Sequence, residues 1–245
     1  VDASSIARAT GGIDGDWYDY VNVAPGFVIR PDLPQAHGRG IAEDATKITY
    51  YSPRFSGLQL GVSFAPDNGS GGTAAGFSGE FASGNENVWG LAAHYARNVS
   101  GADVQVSVTG EFGDTEDAAA GVAAGTEDLA AWAIGGSVTM NNLSVAASWM
   151  DWDDSGLAVG GGTETDAWTL GVAYDMGAYG VSVTYLDSEA ADTMEFTNLS
   201  IGADYQLAPG LVPYVEVSFF EFDDNIVGTT DNEGTVFVVG TELTF

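Results

Sequence analysis

The sequence predicts an all-β fold, an antiparallel transmembrane β-barrel written in eleven strands, and three observations carry that expectation. From Thr46 onward, apolar residues alternate at period two with Ser, Thr, Gly, Ala and Gln. The connections between the alternating runs are short and long by turns. The last run, Thr235–Phe245, puts Phe237, Val239, Thr241, Leu243 and Phe245 on one side and Val238, Gly240, Glu242 and Thr244 on the other. A Phe at the end of such a stripe is poorly placed in water, because fraying ends expose what they carry. In a bilayer the stripe faces hydrocarbon and the aromatic sits at headgroup level.

The alternation predicts each strand in order. Lys47–Tyr51 and Leu58–Ala65 come first, then Val88–Arg97 with Trp89, Leu91, Ala93 and Tyr95 on one face. Val104, Val106 and Val108 mark the fourth run, and residues 129–140 the fifth, with Trp132, Ile134, Val138 and Met140 aligned. Leu143 to Trp149, Trp168 to Tyr174, Tyr179 to Tyr185, Leu199 to Tyr205 and Val215 to Phe219 follow, and the terminal run closes the series. Runs of about 9–11 residues suit a tilted crossing of hydrocarbon. A soluble sandwich also alternates, but its wet face intersperses Lys and Glu. Here the second face is nearly devoid of Lys and Arg, as a wide water-filled lumen allows.

Short connections fall at 52–57, 98–102, 141–142, 175–178 and 208–210, and long ones at 66–86, 113–127, 151–164, 187–195 and 223–234. Acid concentrates on the long ones, from Asp67 and Glu80 through Asp151, Asp153 and Asp154 to Asp231 and Glu233, while the short ones hold Asp175. Short turns on one rim and long loops on the other are the habit of outer-membrane barrels. Residues 1–44 show no alternation; Gly, Pro and a knot of aromatics at Trp17, Tyr18, Tyr20 and Phe27 predict one ordered loop folded inward, ahead of the strand region 45–245.

Composition narrows the function. Acidic residues number 35 against 6 Lys plus Arg, for a net charge of −29, so no basic surface exists to neutralise nucleic-acid phosphates. Cysteine is absent, which removes disulfides, thiol catalysis and Cys-based zinc sites. Charged residues are only 17% of the chain and aromatics 11%, the balance of a chain that folds. No apolar run reaches the roughly 18 residues of a transmembrane helix. No basic-then-apolar leader opens the chain.

The stretch Lys47-Ile-Thr-Tyr-Tyr-Ser-Pro-Arg-Phe-Ser-Gly-Leu-Gln-Leu-Gly-Val-Ser-Phe-Ala-Pro-Asp67 resembles the general diffusion porins of alpha-proteobacteria, and Gly240-x-x-Leu243-x-Phe245 resembles the assembly signal that ends such proteins. The resemblance covers essentially the whole chain. It implies a sixteen-stranded barrel of which this chain, as the C-terminal part, would hold eleven strands. It implies a homotrimer in the outer membrane of a Gram-negative bacterium, in contact with its lipids, passing ions and small hydrophilic solutes. It places residues 1–44 where the family's inward-folded third loop stands, so Asp14, Asp16 and Asp19, with Asp2 nearby, become the acidic side of a pore constriction. Lys47, lumen-facing by parity, belongs to its basic side. The alternative for these Asp residues is turn chemistry, since Asp-Gly is a turn pair.

Other candidates carry less. Asp151-Trp-Asp-Asp154 and Asp223-Asp224 offer the oxygen ligands calcium takes, but in no EF-hand spacing, so solvated acid is the expectation and no cofactor or metal is expected. Arg97 falls on the lipid side at a strand end, where it can snorkel. His37 and His94 lack a recognisable nucleophile setting, which argues against an enzyme. The expectation is thus a cation-preferring general porin working by passive diffusion. The alternative is an acidic, Gly-rich secreted β-protein acting as a surface-layer or adhesion module.

Overall fold

The computed structural model describes residues 1–9, 45–67, 85–115, 125, 127–155, 165–190, 194–224 and 232–245. Its strands are β1 (Ile48–Tyr51), β2 (Leu58–Asp67), β3 (Asn85–Val99), β4 (Ala102–Thr115), β5 (Leu129–Met140) and β6 (Leu143–Asp151). They continue as β7 (Thr165–Met176), β8 (Tyr179–Ala190), β9 (Met194–Tyr205), β10 (Leu211–Asp224) and β11 (Asn232–Leu243). All eleven join one antiparallel sheet in chain order, each paired with the next. Among the described residues the chain adopts the predicted all-β meander with its eleven strands. Among the described residues no helix is long and apolar enough to cross a membrane, which has no bearing on crossing by strands.

The register keeps one parity per face, except for a shift between Glu86 and Trp89 where β3 meets β4. Leu60 pairs with Ala93, Ala93 with Val108, Val108 with Ile134, and Ile134 with Trp149, all on the apolar face. On this face large side chains stay open: Leu170 and Val183 are 47% and 46% exposed. Phe237 and Val239 rise to 63% and 68%, because among the described strands β11 has a neighbour on one side only. Aromatics flank the aliphatic band. Toward the long connections Phe64 packs on Trp89 (centroids 4.7 Å), Trp132 on Trp149 (4.5 Å) and Trp168 on Tyr185 (5.2 Å). Toward the short ones Tyr179 stacks on Tyr205 at 4.5 Å. Cross-strand pairs of this kind stabilise a sheet by about 0.2–1 kcal/mol each.

The opposite face is small and polar, with Ser137, Ser144, Thr169, Ser182, Thr184 and Ser200 all buried on it. One of the two-residue connections, Ser100-Gly101 between β3 and β4, has both residues at positive φ (54° and 90°), the primed turn that matches the twist of a hairpin.

One expectation needs correction. The strands outrun the apolar band, and acids assigned to long loops ride on strand ends instead. Asp67 pairs with Glu86, Asp187 with Thr197, and Glu189 with Glu195, all inside the ladder. Asp114, Asp151, Asp223, Asp224 and Glu233 are strand residues too, and Asp175 sits in β7 rather than in a turn. Backbone pairing does not need apolar side chains, so it continues after the alternation stops.

Candidate functional site

The small-residue face carries a second layer. Residues 1–9 run across it from β4 to β9, with Ala3–Ile6 forming a short 3-10 helix against β6, β7 and β8. Wall hydroxyls fix the segment. The nitrogen of Val1 donates to Ser107 Oγ (2.6 Å), that of Ala3 to Thr169 Oγ1 (3.1 Å), and that of Arg8 to Ser182 Oγ (2.8 Å). Thr169 Oγ1 also shares a hydrogen with Ser148 Oγ at 2.7 Å. Ala3 is fully buried, in an apolar cluster with Ala167, Leu186, Phe196, Phe220 and Val238. Asp2 caps the helix, its Oδ1 accepting from the backbone nitrogen of Ser5 at 3.3 Å.

The chain can lie this close because the wall lacks Cβ atoms beneath it. A Cβ on Gly135 would run into the Val1 carbonyl, one on Gly171 would stand 2.9 Å from Ala3 Cβ, and one on Gly202 would stand 2.6 Å from the Arg8 carbonyl oxygen. Three strands thus offer glycine at the crossing. Real Cβ atoms do not approach so closely, so the track admits backbone only where it stays bare.

Arg8 ends the crossing in a clasp. Its Nη2 pairs with Asp175 Oδ1 of β7, and its Nη1 lies 3.5 Å from Asp204 Oδ2 of β9. The guanidinium is partly exposed, so each pair is worth at most about 1 kcal/mol. Beside it, Ser5–Arg8 and Gln105, Ser137, Thr139, Ser144 and Ala173 enclose a polar cavity of about 230 Å³.

Acid dominates the same face. Asp103, Glu111, Asp175, Asp204, Glu216 and Glu242 share the parity of Thr139, Gly90, Gly180, Gly202 and Val238. Lys47, exposed just before β1, has the parity of Thr49 and Tyr51, which pair with Ser63 and Gly61 on this face. His94 pairs with Gln59 and Ser107, and its Nδ1 lies 3.3 Å from Arg54 Nη2.

The structure treats the other expected residues unevenly. Asp14, Asp16 and Asp19 lie outside the described residues, as do His37 and most of residues 1–44. Gly240 pairs with Tyr214 and lies under that ring, where any Cβ would collide. Leu243 and Phe245 are exposed. Asp151 Oδ1 accepts from the Asp153 nitrogen at 2.7 Å, a local turn bond. Among the described residues no three metal-ligating side chains come together. Sequence reasoning missed Arg8, Ser107, Thr169, Ser182 and Asp204 as a group. Their one signal is that hydroxyls, glycines and acids of the same parity line up on neighbouring strands, which register alone reveals.

A family profile described as Gram-negative porin matches residues 2–225. Uncharacterized proteins of Rickettsia bellii and Rickettsia felis are 26% and 25% identical over the whole of this chain, which spans 72% of each. Among solved structures, the anion-selective porin from Comamonas acidovorans superposes with a TM-score of 0.59 at 18% identity, over 81% of this chain and 59% of that one. A mutant of the Rh. blastica porin gives 0.51 at 23% identity, over 84% and 57%. The chain therefore spans less than two thirds of these solved porins.

Proposed function

Because the chain belongs to the Gram-negative porin family and so to the outer membrane, we propose that it forms the wall and part of the constriction of a water-filled channel for small hydrophilic solutes. The observation that carries this reading is the segment 1–9 held across the small-residue face. A sheet with an open apolar face meets lipid on that side. Its polar face then borders water, and a strap over that face narrows the passage. Solutes move down their gradients, and no covalent step is involved. Family membership leaves a secreted surface-layer module without support.

The passage prefers cations, since at least six carboxylates stand on the inner parity among the described residues and Arg8 is already clasped by two of them. The Comamonas relative is described as anion-selective, so the sign here is this chain's own feature. The constriction role expected of Asp14, Asp16 and Asp19 on the acidic side and of Lys47 on the basic side belongs to this proposal too. The sixteen-strand barrel, the homotrimer and the assembly role of Gly240, Leu243 and Phe245 belong to the same proposal.

Reversal potentials in planar bilayers under a salt gradient test it. Cation preference is expected at low salt and fades as the screening length falls from about 10 Å at 0.1 M to about 3 Å at 1 M. Anion preference at low salt, or a membrane protein that never conducts, overturns the reading. A heat-labile trimer band on gels checks the oligomer.

A further inference from the structure

A groove opens on the inner face away from the strap, bounded by Tyr51 at one side and Met150 and Trp152 at the other. Its volume is about 160 Å³, room for a small organic molecule rather than a single water. Its floor is nearly flat, because Gly61, Gly90, Ala92, Ala131 and Ala133 contribute little or no side chain. Tyr51 lies over Gly61, where a Cβ would stand 3.0 Å from the ring, and is nonetheless 64% exposed. That is unusual on this face, where small and polar residues are the rule. Trp152 folds inward against Ala65, Val88, Leu129 and Ala131, with its indole N–H donating to Met150 Sδ at 2.7 Å. The ring is therefore set in place and presents its remaining surface to the groove.

Polar groups are few and placed. Ser63 and Thr109 offer hydroxyls, and Glu111 lies over Gly90, its Oε1 3.9 Å from the point a Cβ there would occupy. Glu111 has a partner within the fold. A carboxylate accepts from about four directions in all. Two aromatics, a flat apolar floor and one carboxylate form a set that complements a positively charged group on a flat hydrocarbon body.

We propose that this groove is a solute subsite for small organic cations, amines with a planar or short hydrocarbon body. It rests on the reading of the small-residue face as the lining of a passage. The acidic wall raises the local concentration of such amines, the aromatics hold their hydrocarbon, and Glu111 takes the ammonium. Binding is weak by construction. A ligand of some nine heavy atoms in an open groove reaches a Kd of roughly 1 mM, tight enough to slow an amine in transit and loose enough to release it.

Phenethylamine, phenethyl alcohol and phenylpropionate share a body and differ in charge. Titrated into the full-length protein in detergent and followed by tryptophan emission, phenethylamine is expected to saturate near 1 mM and to bind roughly tenfold better than the other two. Trp152→Phe should remove most of the emission change. Glu111→Gln should erase the preference for the amine, while Tyr51→Ala should weaken all three probes together. Equal binding of the three probes, or phenethylamine binding unchanged in both Glu111→Gln and Tyr51→Ala, overturns the proposal. The titration needs no ion flow. A conducting protein with no amine preference defeats the subsite alone, and an amine preference without conductance defeats the channel reading and leaves the groove an amine site that lines no passage.

Discussion

The inner surfaces of β2–β4 and of β7–β9 are written in the same small residues, yet they face different surroundings. In β7–β9, Thr169, Ser182, Thr184 and Ser200 are buried, the first two under the crossing segment. In β2 and β3, Gln59, Ser63 and His94 are half-buried, and in β4 Thr109 is exposed beside the aromatic groove, just past Ser107, where the strap ends. Composition does not separate the two walls. The separation comes from what lies against the glycines: backbone of the strap at Gly202, and the free end of a side chain, Ser63 Oγ, at Gly90. One wall is a seat and the other is a surface.

The largest expected effect tests that distinction directly. In Gly202→Ala the new Cβ meets the Arg8 carbonyl, which cannot move without lifting the segment, at a cost of about 1–3 kcal/mol. In Gly90→Ala the Ser63 hydroxyl rotates aside, and the effect stays within about 0.5 kcal/mol. The temperature at which the folded band disappears on gels reads the difference. Limited proteolysis of residues 1–9 should accelerate in the first variant only. Equal behaviour of the two would mean that the segment is not seated on the wall.

A smaller effect compares two threonines. Thr169→Val keeps the shape and removes the acceptor of the buried Ala3 N–H, a loss of about 1–2 kcal/mol. Thr109→Val removes an exposed hydroxyl and should be close to neutral. Hydrogen exchange at the Ala3 amide gives an independent readout, faster in Thr169→Val and unchanged in Thr109→Val.

The contrast also explains how much the sequence could show. Period two names faces, so the eleven strands, the inward parity of Lys47 and His94 and the outward parity of Arg97 were legible, and Arg97 pairs with Val104 as that parity requires. Strand ends were not legible, because Glu189 and Glu195 keep their ladder partners where apolar alternation has ceased. The strap was expected only as part of a loop folded inward, with no seat assigned to it. Its nine described residues carry no period, and the signal for their seat is spread over β4, β5, β7, β8 and β9. Ser107 and Thr169, or Gly135 and Gly202, become neighbours only once each strand's register is known.

A modest effect on stability should come with a clear one on ions. Arg8→Ala removes two partly exposed ion pairs, so it costs about 1 kcal/mol or less, and the difference from wild type should shrink as salt rises. Yet it also uncovers Asp175 and Asp204, adding two unpaired carboxylates to a face already rich in acid. If that face lines the ion path, cation preference at low salt should increase, and Arg8→Lys should restore part of the wild-type value through a single ammonium. An unchanged reversal potential in Arg8→Ala, with residues 1–9 still protected from protease, would put these two carboxylates outside the path. It would leave the open wall of β2–β4 to set the selectivity alone.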